Sequence, residues 1–118
     1  MADHDKTLPT GVVVSAYYRV HPDDRQTFID AVIPDMTAAE KINGCRFYAF
    51  AQDLVDPNTF HLIEGYENEQ AYEEHENSET FLKALAHVVK NVRILDRQGV
   101  RYAVGKLHID DPRGRVSA

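Results

Sequence analysis

Residues 11–20 place apolar side chains on both sides of a period-two alternation, and this limits the fold more than any other stretch. Val12, Val14, Ala16, Tyr18 and Val20 share one face, and Val13, Ser15, Tyr17 and Arg19 share the other. A strand with one wet face carries polar residues at every second position. This one is partly apolar on both, so it predicts a sheet with both faces covered.

The rest of the chain supplies cover for one face. His21-Pro22-Asp23-Asp24 reads as a helix start, with proline in the first turn and two acids at the positive end of the helix dipole. Phe28, Ile29, Val32, Met36 and Ala39 form its apolar stripe, and Pro34 predicts a kink or two short helices. Asn43-Gly44 ends the helix.

A second strand is expected over residues 44–53, with Cys45, Phe47, Ala49 and Ala51 facing away from Arg46, Tyr48, Phe50 and Gln52. After the turn Asp56-Pro57-Asn58, a third strand over 59–67 sets Phe60, Leu62, Glu64 and Tyr66 on one face. Asn68 caps a helix over 69–76, and Asn77 or Ser78 caps another that buries Phe81, Leu82, Leu85, Val88 and Val89. Residues 92–99 fit neither period, and a fourth strand is expected over 100–109.

The order β-α-β-β-α-β predicts an α+β, ferredoxin-like fold: a four-stranded antiparallel sheet with helices on one face. The other face is too apolar for water, so a homodimer through the sheet face is expected. At 118 residues there is room for one domain. It is expected over residues 11–109, between a flexible N-terminal arm over 1–10 and a C-terminal tail over 110–118.

Composition excludes several classes. Thirteen Lys and Arg against nineteen Asp and Glu give a net charge of −6, which argues against a nucleic-acid-binding face. No apolar run reaches the roughly 18 residues of a membrane span, and the first ten residues lack a signal-peptide pattern, so a cytoplasmic protein is expected. The single cysteine, Cys45, excludes an internal disulfide and a multi-cysteine zinc site.

The runs Asn43-Gly44-Cys45-Arg46-Phe47-Tyr48, Phe60-His61-Leu62-Ile63-Glu64-Gly65-Tyr66 and Ala71…His75-x-x-Ser78-x-x-Phe81, with the Asp56-Pro57 turn, resemble the antibiotic biosynthesis monooxygenase family. The resemblance covers about residues 11–107. It implies a dimeric α/β barrel and a cofactor-independent, quinol-monooxygenase-like activity on a small aromatic substrate with molecular oxygen. The family also holds haem-degrading enzymes and an isomerase of a phosphorylated sugar. The usual Glu-x-Trp is Glu64-Gly65-Tyr66 here, and the chain has no tryptophan, whereas the haem-degrading branch has one in its pocket. Haem is therefore not expected, nor is a flavin; the run Glu73-Glu74-His75-Glu76 reads as a solvated acidic face and there is no His-x-x-x-His pair, so no metal is expected.

Among residues that could carry chemistry, Glu64 lies mid-strand with Leu62 and Tyr66 on its face. A carboxylate so placed needs a partner or a raised pKa. His75 is the candidate partner. The pair reads either as Glu64 holding His75 as a general base, or polarising a bound hydroxyl, or as a buried hydrogen bond that docks a helix on the sheet. Tyr66, Tyr72, Phe47, Phe60, Phe81 and Arg46 are the expected pocket residues, with Arg19 and Arg101 as further strand cations. Cys45 reads as a small buried hydrophobe. Besides a monooxygenase, the alternatives are an isomerase of a small keto-sugar phosphate and a non-catalytic dimeric ligand-binding module.

Overall fold

The computed structural model describes residues 4–109, with side chains described from 11 to 108. In chain order it has β1 (His4–Val20), a 3-10 turn (Pro22–Asp24), α1 (Arg25–Ala39), β2 (Cys45–Gln52), β3 (Thr59–Tyr66), α2 (Glu69–Glu76), α3 (Glu79–Asn91) and β4 (Ile94–Ile109). The four strands form one antiparallel sheet in the order β2-β3-β1-β4. This is the α+β arrangement read from the sequence.

Register decides which side chains meet. Val14 pairs with Glu64, Ala16 with Leu62 and Tyr18 with Phe60, while Tyr48 and Phe50 of β2 pair with Glu64 and Leu62. Cross-strand partners project to the same side of a sheet. All of these therefore share the face that the helices cover. Phe28 of α1 packs there on Phe60 and Phe50, with ring centroids 5.0 and 5.7 Å apart. Val20, Phe28, Phe60, Val88 and Val92 make one buried cluster, and Ala16, Ala39, Tyr48 and Leu62 make another. Each large side chain so buried stabilises the fold by about 1.5–3 kcal/mol. The opposite face of the sheet exposes Phe47, Ile63, Val100 and Tyr102.

The caps hold as expected. Asn68 Oδ1 accepts from Ala71 N at 2.8 Å, and Ser78 Oγ accepts from Phe81 N at 3.3 Å. Gly44 takes φ 92°, a left-handed turn that lets the chain leave α1 for β2. An unexpected clamp joins the 3-10 turn before α1 to the residue that leads into β4: Asp24 accepts from the Arg93 backbone N at 2.8 Å and from its guanidinium at 2.9 and 3.2 Å.

Several expectations need correction. Helix α1 runs unbroken through Pro34. Only one amide donor is lost there, Pro34 is exposed, and Phe28, Asp35 and Ala39 fasten both halves to the core. Strand β1 begins at His4, so residues 4–7 are paired with 106–109, where an arm was expected. The register slips between Thr7 and Gly11, around Pro9, which has no N–H to give the ladder. Strand β4 begins at Ile94, with Leu95 extra at a slip opposite Arg19–Val20, so much of the ambiguous stretch is strand. Residues 1–3 of the expected arm and the expected tail over 110–118 lie outside the described residues.

A further slip sits at the start of β2. Cys45 pairs with Tyr66 but Phe47 pairs with Gly65, leaving Arg46 as the extra residue of a bulge. Cys45 and Phe47 therefore fall on opposite faces, against the simple alternation. Cys45 packs toward Tyr66 and Ala71 but is only half-buried, short of the burial expected of it, and Phe47 lies on the open face. A Cβ at Gly65 would collide with the Phe47 ring, so this crossing depends on glycine.

Candidate active site

Three elements converge on one buried polar cluster. Helix α2 is only two turns long, and its buried residues are Ala71 and His75, spaced i,i+4 on one face. Strand β3 presents Glu64 and Tyr66 on the helix-covered face. Helix α1 adds Asp35, which follows Phe28 and Val32 along the apolar stripe. His75, Asp35 and Glu64 are 1, 3 and 6% exposed.

Their contacts are unequal. His75 Nε2 lies 3.0 and 3.2 Å from the two oxygens of Asp35. The Tyr48 hydroxyl donates to Asp35 Oδ2 at 3.1 Å. On the other side of the ring, His75 Nδ1 is 3.8 Å from Glu64 Oε1, an ion-pair contact without a hydrogen bond. Glu64 Oε1 accepts from the Tyr66 hydroxyl at 2.6 Å. Nδ1 is the one buried side-chain polar atom among the described residues with no hydrogen-bond partner. The imidazole also packs between Tyr48 and Phe81, with ring centroids 4.8 Å away in each case.

Burial shapes the protonation of the cluster. Loss of water pushes the Glu64 carboxyl above its ordinary range, against the smaller pull of the Tyr66 hydrogen bond and of His75. The Tyr48 and Tyr66 phenols are pushed far up, first by burial and then by the carboxylates they face. Both tyrosines thus act as neutral donors. Two carboxylates thus flank one imidazole, Asp35 in hydrogen-bond contact with Nε2 and Glu64 facing Nδ1.

The cluster opens onto a cavity of about 630 Å³ between the sheet and the three helices. Its walls are largely aliphatic and aromatic, including Val14, Leu62, Phe81, Leu85 and Val88. Asp35, Tyr48 and Glu64 reach the wall, whereas His75 stands behind it. Tyr72 is also on the wall, its hydroxyl donating to Glu76 at 2.5 Å, and burial with that acceptor raises its phenol to about 12.

The residues singled out from sequence divide accordingly. Glu64 and His75 come together on the same side of the sheet. Tyr72 and Phe81 line the cavity. Tyr66 and Phe60 are buried in the core beneath it. Arg46 and Phe47 are not at the cavity, because the bulge at Arg46 turns Phe47 to the open face; both border a separate recess on β2. Sequence reading missed Asp35 and Tyr48. The signal for Asp35 was an acid on an otherwise apolar helical stripe, seven residues after Phe28.

The family profile described as antibiotic biosynthesis monooxygenase matches residues 11–87. The chain belongs to the antibiotic biosynthesis monooxygenase family. Solved structures agree on the fold. A Nitrosomonas europaea protein provisionally named an antibiotic biosynthesis monooxygenase superposes with a TM-score of 0.73 at 22% identity, covering 80% of this chain and 89% of that one. A Mycobacterium tuberculosis protein gives 0.72 at 23%, covering 80% and 94%. A Pseudomonas aeruginosa protein gives 0.73 at 19%, covering 84% and 98%. No curated protein matches the chain. In this member of the antibiotic biosynthesis monooxygenase family, the matched segment includes every residue of the polar cluster and stops short of β4.

Proposed function

We propose that the protein is a cofactor-independent monooxygenase of a small aromatic, quinol-type substrate. The observation that carries this reading is the cavity of about 630 Å³, apolar on most of its wall, with buried carboxylates at one end. A flat aromatic fits such walls, and a few convergent polar groups fix its orientation. A phosphorylated keto-sugar fits poorly, because its several hydroxyls would find few polar partners on a wall that is mostly aliphatic and aromatic.

The reaction is balanced by the substrate alone. A quinol and dioxygen give a hydroxyquinone and water. One oxygen atom replaces a ring hydrogen, and the other leaves as water with two hydrogens of the quinol. The quinol supplies the electrons once a hydroxyl proton is removed. Glu64 is the group that takes this proton, since it reaches the wall and its burial makes it a stronger base than an exposed carboxylate. His75 acts from behind as a positioning residue, fixed by Asp35 and Phe81. The dry walls keep water from quenching the reactive anion.

The open sheet face is proposed to pair with a second copy of the chain. Phe47, Ile63, Val100 and Tyr102 together make a broad apolar surface there.

Oxygen uptake across a panel of hydroquinones tests the activity. Turnover by the native protein that falls at least about a hundredfold in Glu64→Gln, in line with loss of a general base, supports the reading. Uptake no faster than in buffer across naphthalene- and benzene-based quinols contradicts it.

A further inference from the structure

We propose that the cavity mouth is an anion subsite, and that the substrate is an aromatic hydroxy acid bound with its hydroxyl inward and its carboxylate at Arg97. This rests on the cavity being the substrate site, and it adds the substrate's second end.

Strand β4 provides the cations. Arg97, Gly99 and Arg101 pair with Tyr18, Ala16 and Val14, so the two arginine side chains project to the helix-covered side with Gly99 between them. All three line the cavity. The Arg97 guanidinium carbon lies over the Tyr18 ring, 5.2 Å from its centroid, and that of Arg101 lies over Tyr72 at 5.0 Å. Arg97 Nη2 lies over Gly99, 3.8 Å from where a Cβ would stand. A cation–π contact uses none of the guanidinium's N–H donors as such, and these suit a planar anion.

The two arginines differ in charge balance. Arg101 Nη1 is 3.5 Å from Glu69 Oε1. Among the described residues no carboxylate pairs with Arg97. An uncompensated cation is unusual in a chain of net charge −6, and this one stands exposed on the rim of the cavity of about 630 Å³. Across from it, α3 contributes exposed Leu85 and Val89 to the same wall. The rim is therefore apolar on one side and cationic on the other, as an aryl carboxylate requires.

The inner end sets the direction. Asp35 and Glu64 are buried at the wall, while Arg97 and Arg101 are exposed. A carboxylate cannot lie against the first pair, and a hydroxyl can donate to it. An acid thus has one favourable orientation, with the reacting ring held toward Glu64.

Titration calorimetry with a dihydroxynaphthoic acid, its methyl ester and the parent dihydroxynaphthalene, under exclusion of oxygen, tests the subsite. The acid should bind at least about tenfold tighter than the ester, and the preference should shrink as salt is raised. Arg97→Met, at an exposed position that leaves the core intact, should reduce the preference to about twofold or less, and Arg101→Met should reduce it less. Equal binding of acid and ester, binding of none of the three, or an undiminished preference in Arg97→Met would overturn the proposal. Oxygen uptake separates the two claims. An Arg97-dependent preference without turnover retains the subsite and removes the monooxygenase. Equal turnover of acid and ester, with equal affinity, does the reverse.

Discussion

His75 and Asp35, forty residues apart in the chain, meet through Nε2 and Oδ2 at 3.0 Å in a position almost sealed from water. The contact joins α1 to α2 and fixes which ring nitrogen faces Glu64. It makes the cluster both a structural tie and a chemical one, and the two roles separate experimentally.

Removing one partner strands the other. His75→Ala leaves Asp35 with the Tyr48 donor alone, and a buried charge deprived of its partner costs about 3–5 kcal/mol. Asp35→Asn keeps the shape and should cost less, about 1–3 kcal/mol. The double variant should be more stable than the sum of the two predicts, with a coupling of about 0.5–3 kcal/mol. Urea unfolding of the four proteins measures this, and strict additivity would mean that the pair does not interact.

Glu64 gives a pH dependence of defined sign. Its folded pKa is raised, so the native state holds a proton that the unfolded chain has already lost. That contribution to stability is full below the ordinary value of 4.5 and falls as pH rises through the raised value. Stability of the native protein relative to Glu64→Gln should therefore decline with rising pH over this window. A difference that stays flat or rises would refute the burial argument.

The tyrosines set the alkaline limit. Tyr72 is raised to about 12 from 10.0, and Tyr48 and Tyr66 are raised further. Each contributes stability that is complete below its ordinary pKa and lost as pH rises above it. Phenolate absorbance from Tyr48 and Tyr66 should appear only with loss of the folded circular dichroism signal. A single smooth titration of all six tyrosines in the folded protein would contradict their burial.

Pairing through the open sheet face is checked by sedimentation. The native chain should be a dimer at micromolar concentration, and Ile63→Asp combined with Val100→Asp should give a folded monomer. A native monomer would leave the apolar residues of that face unexplained.

Much of the architecture was legible because it depends on local chemistry. Alternation placed Glu64 and Tyr66 on one face, and Asn68 and Ser78 announced their helices through the caps they form. The bulge at Arg46 was not legible, since one extra residue reverses a period-two pattern without leaving a mark in composition. It moved Phe47 and Arg46 away from the cavity. Asp35 was hidden by its type: an acid after a proline reads as solvent-facing unless its place on the stripe is weighed above its polarity. Arg97 sat in the stretch that fitted neither period, because Leu95 interrupts the strand there.

The most direct measurement is turnover under isotopically labelled dioxygen, with mass analysis of the product and a peroxide assay on the same sample. One labelled oxygen atom per hydroxyquinone, little peroxide, and loss of both product and oxygen uptake in Glu64→Gln are the predicted results. Unlabelled quinone with stoichiometric hydrogen peroxide, at a rate unchanged by Glu64→Gln, would contradict monooxygenation in this cavity.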